Sequence, residues 1–242
     1  MARDTLHGLR PARRSPSKPR GPAAGRVAAD AAIDPGRVVA VMARLAAADP
    51  DPKAGFSGAD PFRLLVTVLL SAQSTGPTVE KVAAALFALA DTPETMLALG
   101  EARITDTVRP VGLGPSKARN IVRLCAALLA EFGGAVPRSA AQMRRLPGIG
   151  RKSAEVTANF AFDEPVIAVD THVFRVSNRI PLAPGATVDA VADGLAAAVP
   201  DAFKDGAHIW LFRHGRDTCT ARAPACGRCG VADLCTWAGR AG

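Results

Sequence analysis

Leu146-Pro147-Gly148-Ile149-Gly150-Arg151-Lys152 joins two segments with helical patterning through a connection too short for an ordinary loop. Both glycines, Gly148 and Gly150, stand where the chain must reverse its direction, and glycine adopts a positive φ at little cost. The stretch therefore predicts two helices joined by a tight hairpin, with Lys152 in the first turn of the second helix.

This hairpin has the features of a phosphate-binding site. Backbone N–H groups of such a turn, followed by a helix N-terminus, bind an anion without reading sequence. A plain connection between two helices is the alternative for an isolated Gly-x-Gly. Residues 133–154, however, contain five basic residues and no acidic one, which favours contact with a nucleic-acid backbone through Gly148, Gly150 and Arg151.

Lys152 is a candidate nucleophile. The positive end of the helix dipole, the neighbouring Arg151 and any burial all favour its neutral amine, which can attack carbon. Glu155 would oppose this effect if it paired with Lys152. An exposed lysine that contacts a DNA phosphate is the alternative interpretation.

Asp170 follows the apolar segment Val166–Val169 and is a natural N-cap for the next helix. A helix of about 12 residues after Lys152 travels roughly 18 Å, and about six extended residues return roughly 20 Å. Asp170 is therefore expected at the level of Lys152. Capping alone is the alternative, although a capping carboxylate stays ionised and can also stabilise a nearby cation.

Four cysteines close to the C-terminus predict one metal site. Cys219, Cys226, Cys229 and Cys235 are separated by six, two and five residues. Their spacing suits zinc or an iron–sulfur cluster and does not distinguish between them, whereas two disulfides are a minor alternative. Cys125 lies in an apolar helix and is expected in the core. This cysteine usage indicates a reducing compartment and a cytoplasmic protein.

The rest of the chain predicts an all-α protein without a membrane span, since no apolar stretch approaches the length that a bilayer requires. The net charge is +8, and residues 1–26 carry seven basic residues against one acidic residue. We interpret these residues as a disordered basic tail. Helices are predicted from 62 to 73, from Thr92 and Ser116 onward, and near 35–48, 78–90, 101–109, 139–146, 151–162, 171–179, 187–198 and 203–215.

These blocks together resemble the endonuclease III family of DNA glycosylase/AP lyases in the helix-hairpin-helix superfamily. The resemblance covers roughly residues 33–240. It rests on five blocks: Leu64–Gln73, Val111-Gly112-Leu113, the hairpin at 146–152, Ile167–Arg175 and the four cysteines. Each block alone is moderately specific, whereas all of them in this order are highly specific.

The resemblance implies a two-domain fold. A six-helix domain would span 54–164, and residues 27–53 would join 165–242 in a domain with a C-terminal 4Fe-4S cluster loop. Damaged double-stranded DNA would lie between them, with Lys152 and Asp170 on opposite walls.

By the same resemblance, the protein would act as a monomer on oxidised pyrimidines and abasic sites in the DNA of a bacterial nucleoid. Gln73 would fill the space of the flipped nucleotide and Leu113 would enter the opposite strand. His172 and Arg222 would also contact DNA.

Three departures from the family's usual pattern concern substrate preference. Gly76 and Arg144 stand where acidic residues are common, and Glu155 stands where asparagine is usual. Gly76 and Arg144 motivate one alternative function, a monofunctional glycosylase with another lesion range. A DNA-binding module without catalysis, which would use the hairpin for phosphate contact and the metal site for structure, is a second alternative.

Overall fold

The computed structural model describes residues 33–55 and 58–237, so the predicted basic tail at 1–26 lies outside the described residues. All regular structure in the described part is helical, which confirms the all-α prediction. The helices are α1 Pro35–Ala48, α2 Pro61–Ser71, α3 Gly76–Phe87, α4 Pro93–Val108, α5 Gly114–Phe132, α6 Ala140–Met143, α7 Arg151–Phe162, α8 Thr171–Arg179, α9 Val188–Ala198 and α10 Asp201–Asp217. Two short 3-10 helices, Cys226–Arg228 and Ala232–Leu234, follow α10.

Several helices begin where side-chain caps predict. The Asp60 carboxylate accepts a hydrogen bond from the Arg63 N–H at 2.8 Å, and Pro61 occupies the first helical position of α2. Thr92 caps α4 through the Thr95 N–H at 3.2 Å. These contacts satisfy N–H groups that lack a partner within the helix.

Other boundaries differ from the sequence prediction because the backbone leaves helical geometry. The helices predicted from Thr92 and near 101–109 are two parts of α4, which bends at Gly100 with φ 80°. Helix α2 ends at Ser71 rather than at Gln73, because the backbone leaves helical geometry at Ala72 with ψ 121° before Gln73 adopts φ 54°. The helix predicted over 139–146 is shortened to α6, since the chain already turns toward the hairpin.

Two large apolar clusters form the interior. The first draws on α2–α7 and the second on α1 and α8–α10 together with the segments that flank them. Fully buried members of the first include Leu65, Leu86, Ile121, Cys125 and Leu128. Those of the second include Met42, Val173, Leu182, Leu195 and Leu211.

This division into two large clusters agrees with a two-domain fold. Val68, Val156 and Ala168 form a third, small cluster that is separate from both. The predicted boundaries at 27–53, 54–164 and 165–242 stay a prediction. No helix in the described part of the chain is long and apolar enough to cross a membrane.

Candidate active site and cluster loop

The hairpin before α7 depends on one glycine rather than two. Gly148 has φ 78°, and a Cβ there would lie 2.8 Å from the Asn120 Cβ. Gly150 was expected to need a positive φ as well, but it has φ −85° and a Cβ there would meet no atom within 4 Å. It is the extended N-cap of α7 and leaves that helix without a side-chain cap. The first N–H groups of α7 therefore remain available to an anion.

Lys152 lies half-buried in the first turn of α7. Burial lowers the pKa of its ammonium group, and the nearby Asp170 carboxylate partly offsets this effect. The expectation that Asp170 returns to the level of Lys152 therefore agrees with their electrostatic interaction. A lysine in this setting provides more neutral amine at neutral pH than an exposed lysine does.

Asp170 is also the N-cap of α8. Its Oδ1 accepts hydrogen bonds from the N–H groups of His172 at 2.8 Å and Val173 at 2.9 Å. These bonds fix the carboxylate on the rigid start of a helix, so capping and a charge opposite Lys152 coexist in one side chain.

His208 on α10 is a neighbour of this pair that the sequence analysis missed. Its ring is buried, and its Nδ1 lies 2.8 Å from the Ala168 carbonyl oxygen. Burial, and then the charge of Lys152, lower the pKa of His208 to about 4. The imidazole is therefore neutral at pH 7 and bonds to the segment that leads into Asp170.

Arg151 pairs with three carboxylates. Its Nε donates to Glu155 at 2.8 Å, and its two terminal nitrogens contact Asp189 at 3.2 Å and Asp193 at 2.7 Å on α9. Glu155 therefore pairs with Arg151 rather than with Lys152. The predicted contact between Arg151 and DNA stays a prediction, and it competes with these three carboxylates for the guanidinium.

Other basic residues near the hairpin differ in their surroundings. Arg145 pairs with Glu131 at 3.1 Å in an exposed salt bridge. The Arg138 guanidinium lies 4.9 Å from the centre of the Phe162 ring. Arg144 is exposed. The positive surface around the hairpin is thus partly neutralised by the fold.

Two exposed residues next to the six-helix core have left-handed backbone conformations. Gln73 follows α2 with φ 54°, and Leu113 precedes α5 with φ 62°. The Leu113 side chain is 58% exposed although it is large and apolar. Exposure and unusual backbone at both positions fit residues held out toward a partner.

His172 and Arg222 have different environments. The His172 ring packs edge-on against Phe212 at 5.3 Å between centroids, and its Nδ1 lies 3.2 Å from an Arg175 nitrogen. Arg222 is exposed on the loop between Cys219 and Cys226. Arg175 donates to the Cys219 carbonyl oxygen at 2.9 Å, so α8 also supports the cysteine loop.

The four cysteines line one cavity of about 30 Å³, beside Ile180, His214 and Trp237. No disulfide joins any two of these four cysteines in the structure. No three His, Cys, Asp or Glu side chains among residues 33–55 and 58–237 are arranged to hold a single metal ion. The four sulfurs nevertheless face one shared cavity, where several thiolates can bind the same metal group.

The chemistry of these thiols fits a cationic cluster core. Burial and the neighbouring cysteines raise the pKa of the Cys229 thiol, so a positively charged group at the site would favour its thiolate form. The Arg179 guanidinium contacts the Cys219 sulfur at 3.5 Å and stacks on Trp237 at 3.9 Å from the ring centre. These four cysteines are the residues that would hold such a group.

Comparison with known proteins identifies the family. Residues 66–200 match the HhH-GPD superfamily of base excision DNA repair proteins, and residues 219–235 match the iron-sulfur binding domain of endonuclease III. Endonuclease III of Escherichia coli K12 is 46% identical over 197 residues, which cover 81% of this chain and 93% of that protein. Endonuclease III of Treponema pallidum is 47% identical over 203 residues, which cover 84% of this chain and 96% of that protein.

Solved structures agree with this assignment. A trapped endonuclease III–DNA covalent intermediate has a TM-score of 0.79 and 35% identity, and the match covers 85% of this chain and 97% of that one. A non-covalent endonuclease III–DNA complex has a TM-score of 0.78, 35% identity and coverage of 85% and 96%, respectively. The chain therefore belongs to the endonuclease III family of DNA glycosylase/AP lyases, within the HhH-GPD superfamily.

Proposed function

We propose that this enzyme removes oxidised pyrimidines from duplex DNA and cleaves the resulting abasic sites by β-elimination through a Schiff base on Lys152. The observation that carries the proposal is a half-buried lysine with a lowered pKa, opposite a fixed carboxylate and directly behind the hairpin. A relative at 46% identity bears the name endonuclease III, and a structural neighbour is a covalent DNA intermediate, which supports the same chemistry.

The reaction follows from these two side chains. Lys152 Nζ forms a bond to C1′ as the N-glycosidic bond breaks, and the base leaves with the bonding electrons and takes up a proton. Asp170 stabilises the positive charge that develops on the sugar. Opening of the sugar ring gives an imine. Loss of a C2′ proton then breaks the C3′–O bond and releases the 3′ phosphate.

We assign the DNA contacts by position on this fold. Gln73 and Leu113 enter the duplex, while the N–H groups at Gly148 and Gly150 bind a phosphate with Arg151 beside them. His172 on α8 and Arg222 on the cysteine loop extend the contact. When bound, the 4Fe-4S cluster cross-links the four cysteines and so orders the loop that carries Arg222.

Borohydride trapping tests the lyase mechanism. The wild type should form a covalent adduct with a duplex that contains an abasic site, and Lys152→Ala should lose the adduct while it still binds that duplex. Lys81→Ala, which removes an exposed lysine on α3, is the matched control and should trap normally. An adduct that persists in Lys152→Ala would falsify the role of this lysine.

Two other outcomes would replace the proposal. Release of a free base without strand scission would indicate a monofunctional glycosylase, and binding without either reaction would indicate a DNA-binding module. A panel of duplexes with single lesions tests the preference for oxidised pyrimidines, for which Gly76, Arg144 and Glu155 depart from the usual family pattern.

We further propose that the enzyme acts as a monomer in the bacterial cytoplasm, on nucleoid DNA. The bacterial source of its relatives supports the location. Sedimentation of the protein with and without a lesion duplex tests the monomer, and a complex that contains two protein chains would contradict it.

A further inference from the structure

Lys117 in the first turn of α5 is buried although it is a lysine, with 4% of its surface exposed. Its ammonium group donates to the carbonyl oxygens of Leu70 at 2.7 Å and Ala72 at 2.6 Å, and to the Ser74 hydroxyl at 3.0 Å. These partners use all three of its protons. They lie on either side of Gln73, at the C-terminus of α2, where the helix dipole favours a cation.

The same helix α5 also controls Leu113. The Lys117 N–H donates to the Leu113 carbonyl oxygen at 3.0 Å, so Leu113 is held by the first backbone hydrogen bond of α5. Lys117 is thus bonded through its side chain to the segment around Gln73 and through its backbone to Leu113.

The two segments also touch directly. A Cβ at Gly112 would lie 2.7 Å from the Gln73 carbonyl oxygen, closer than a real Cβ contact allows. Gln73, at φ 54°, and Leu113, at φ 62°, are two of the three non-glycine residues with positive φ in the described part of the chain. Such conformations persist only where the surrounding structure holds them.

We propose that Lys117 is a positioning residue that fixes Gln73 and Leu113 as one rigid unit for extrusion of the damaged nucleotide. The proposal rests on the function proposed above. Extrusion breaks base stacking and pairing, and the protein must fill the vacated space at once. If this unit is already ordered before DNA binds, the free-energy cost of ordering it does not fall on the extrusion step.

Lys117→Met tests this role, because methionine keeps an unbranched apolar side chain and removes the three hydrogen bonds. We expect excision of thymine glycol from a duplex to slow on the order of 10- to 100-fold, the effect of a misplaced positioning group. Cleavage of a preformed abasic site in the same duplex should slow less, since no base pair has to be broken. Arg123→Met, which removes an exposed cation from the same helix, is the control and should retain both activities.

A fluorescent adenine analogue opposite an abasic site reports insertion without chemistry. In a Lys152→Ala background, binding should raise the fluorescence of this analogue, and Lys117→Met should reduce the rise. Equal slowing of both reactions together with a full fluorescence rise would mean that Lys117 only stabilises the fold, and would overturn the proposal.

Gly112→Ala gives a second test that leaves Lys117 in place. The added Cβ pushes on the Gln73 carbonyl from the other side, so we expect the same selective loss of excision and of fluorescence. If Lys117→Met does not fold, this variant decides the proposal, and an unchanged ratio of the two activities would refute it. A wild type that forms no borohydride adduct would overturn the lyase function instead, while the fluorescence test still reports on Lys117.

Discussion

Arg151 and Glu155 lie one turn apart on α7, and the Arg151 Nε donates to Glu155 Oε1 at 2.8 Å. Burial raises the pKa of Glu155, whereas the Arg151 charge lowers it. Through Asp189 and Asp193 the same guanidinium joins α7 to α9, which belongs to the second apolar cluster. The helix that carries Lys152 is thus tied across the two halves of the molecule.

Arg151→Ala should destabilise the protein, because it leaves Glu155 buried without its cation. We expect a loss of about 2 kcal/mol in the free energy of unfolding. This loss is smaller than that for breaking a fully buried ion pair, because solvent screens the contacts with the exposed Asp189 and Asp193. Denaturation in urea measures it. Arg145→Ala, which breaks only the exposed pair with Glu131, is the matched control and should cost about 0.5 kcal/mol or less. Equal losses in the two variants would show that the pair between Arg151 and Glu155 does not stabilise the fold more than an exposed pair does.

Gly148→Ala should strain the hairpin, whereas Gly150→Ala should not. Alanine at Gly148 would take φ 78° and crowd Asn120, at a cost of about 1–3 kcal/mol. Gly150 has ordinary extended backbone and open space around its Cα. Urea denaturation and DNA affinity of the two variants check the difference. If Gly150→Ala lost as much stability as Gly148→Ala, the hairpin geometry described above would be wrong.

Sequence reasoning predicts features that depend on neighbouring residues in the chain. The helix starts at Asp60 and Asp170 could be predicted, because an N-cap side chain bonds to a backbone N–H only two or three residues further along the chain. The approach of Asp170 to Lys152 follows from helix length and the return of an extended segment. The resemblance to the endonuclease III family predicts the 4Fe-4S cluster and the residues that contact DNA. The family matches confirm the cluster.

What sequence reasoning missed depends on contacts between distant segments. Lys117 bonds to Leu70, which is 47 residues away, and His208 bonds to Ala168, which is 40 residues away. No local pattern specifies either partner. A single polar residue within a short apolar stretch, as in Ala207-His208-Ile209-Trp210, signals only that a buried partner exists. The prediction of a positive φ at Gly150 was wrong, because a glycine at an N-cap does not require one.

Asp170→Asn should separate the two roles of this carboxylate. Asparagine still caps α8, so folding should be retained. Asp170 raises the pKa of Lys152, so its removal should lower that pKa further. Because the carboxylate no longer stabilises the positive charge on the sugar, base excision should slow. Because the Lys152 pKa falls, the pH profile of borohydride trapping on a preformed abasic site should shift to lower pH. A profile that stays in place or moves to higher pH would contradict this electrostatic role.

Deletion of residues 1–26 should weaken the salt dependence of DNA binding. This segment holds most of the +8 net charge, so its loss removes phosphate contacts that salt weakens. The slope of log K against log salt should fall by about 0.9 for each lost contact. Replacement of its seven basic residues by glutamine is the length-matched control and should give the same slope as the deletion. An unchanged slope in both variants would place the tail away from DNA.

His208→Gln should change how stability depends on pH. The folded protein takes up a proton on His208 only near pH 4, whereas the unfolded chain does so near pH 6.5. As pH falls through this window, protonation favours the unfolded state, and the wild type should lose roughly 3 kcal/mol of stability from this group. Glutamine does not titrate and can still donate a hydrogen bond to the Ala168 carbonyl, so the variant should show a shallower slope between pH 6.5 and 4. Urea denaturation at a series of pH values measures the slope of the free energy of unfolding against pH for each protein. The two slopes should coincide above pH 7. Equal slopes below pH 6.5 would mean that His208 is not buried in its neutral form.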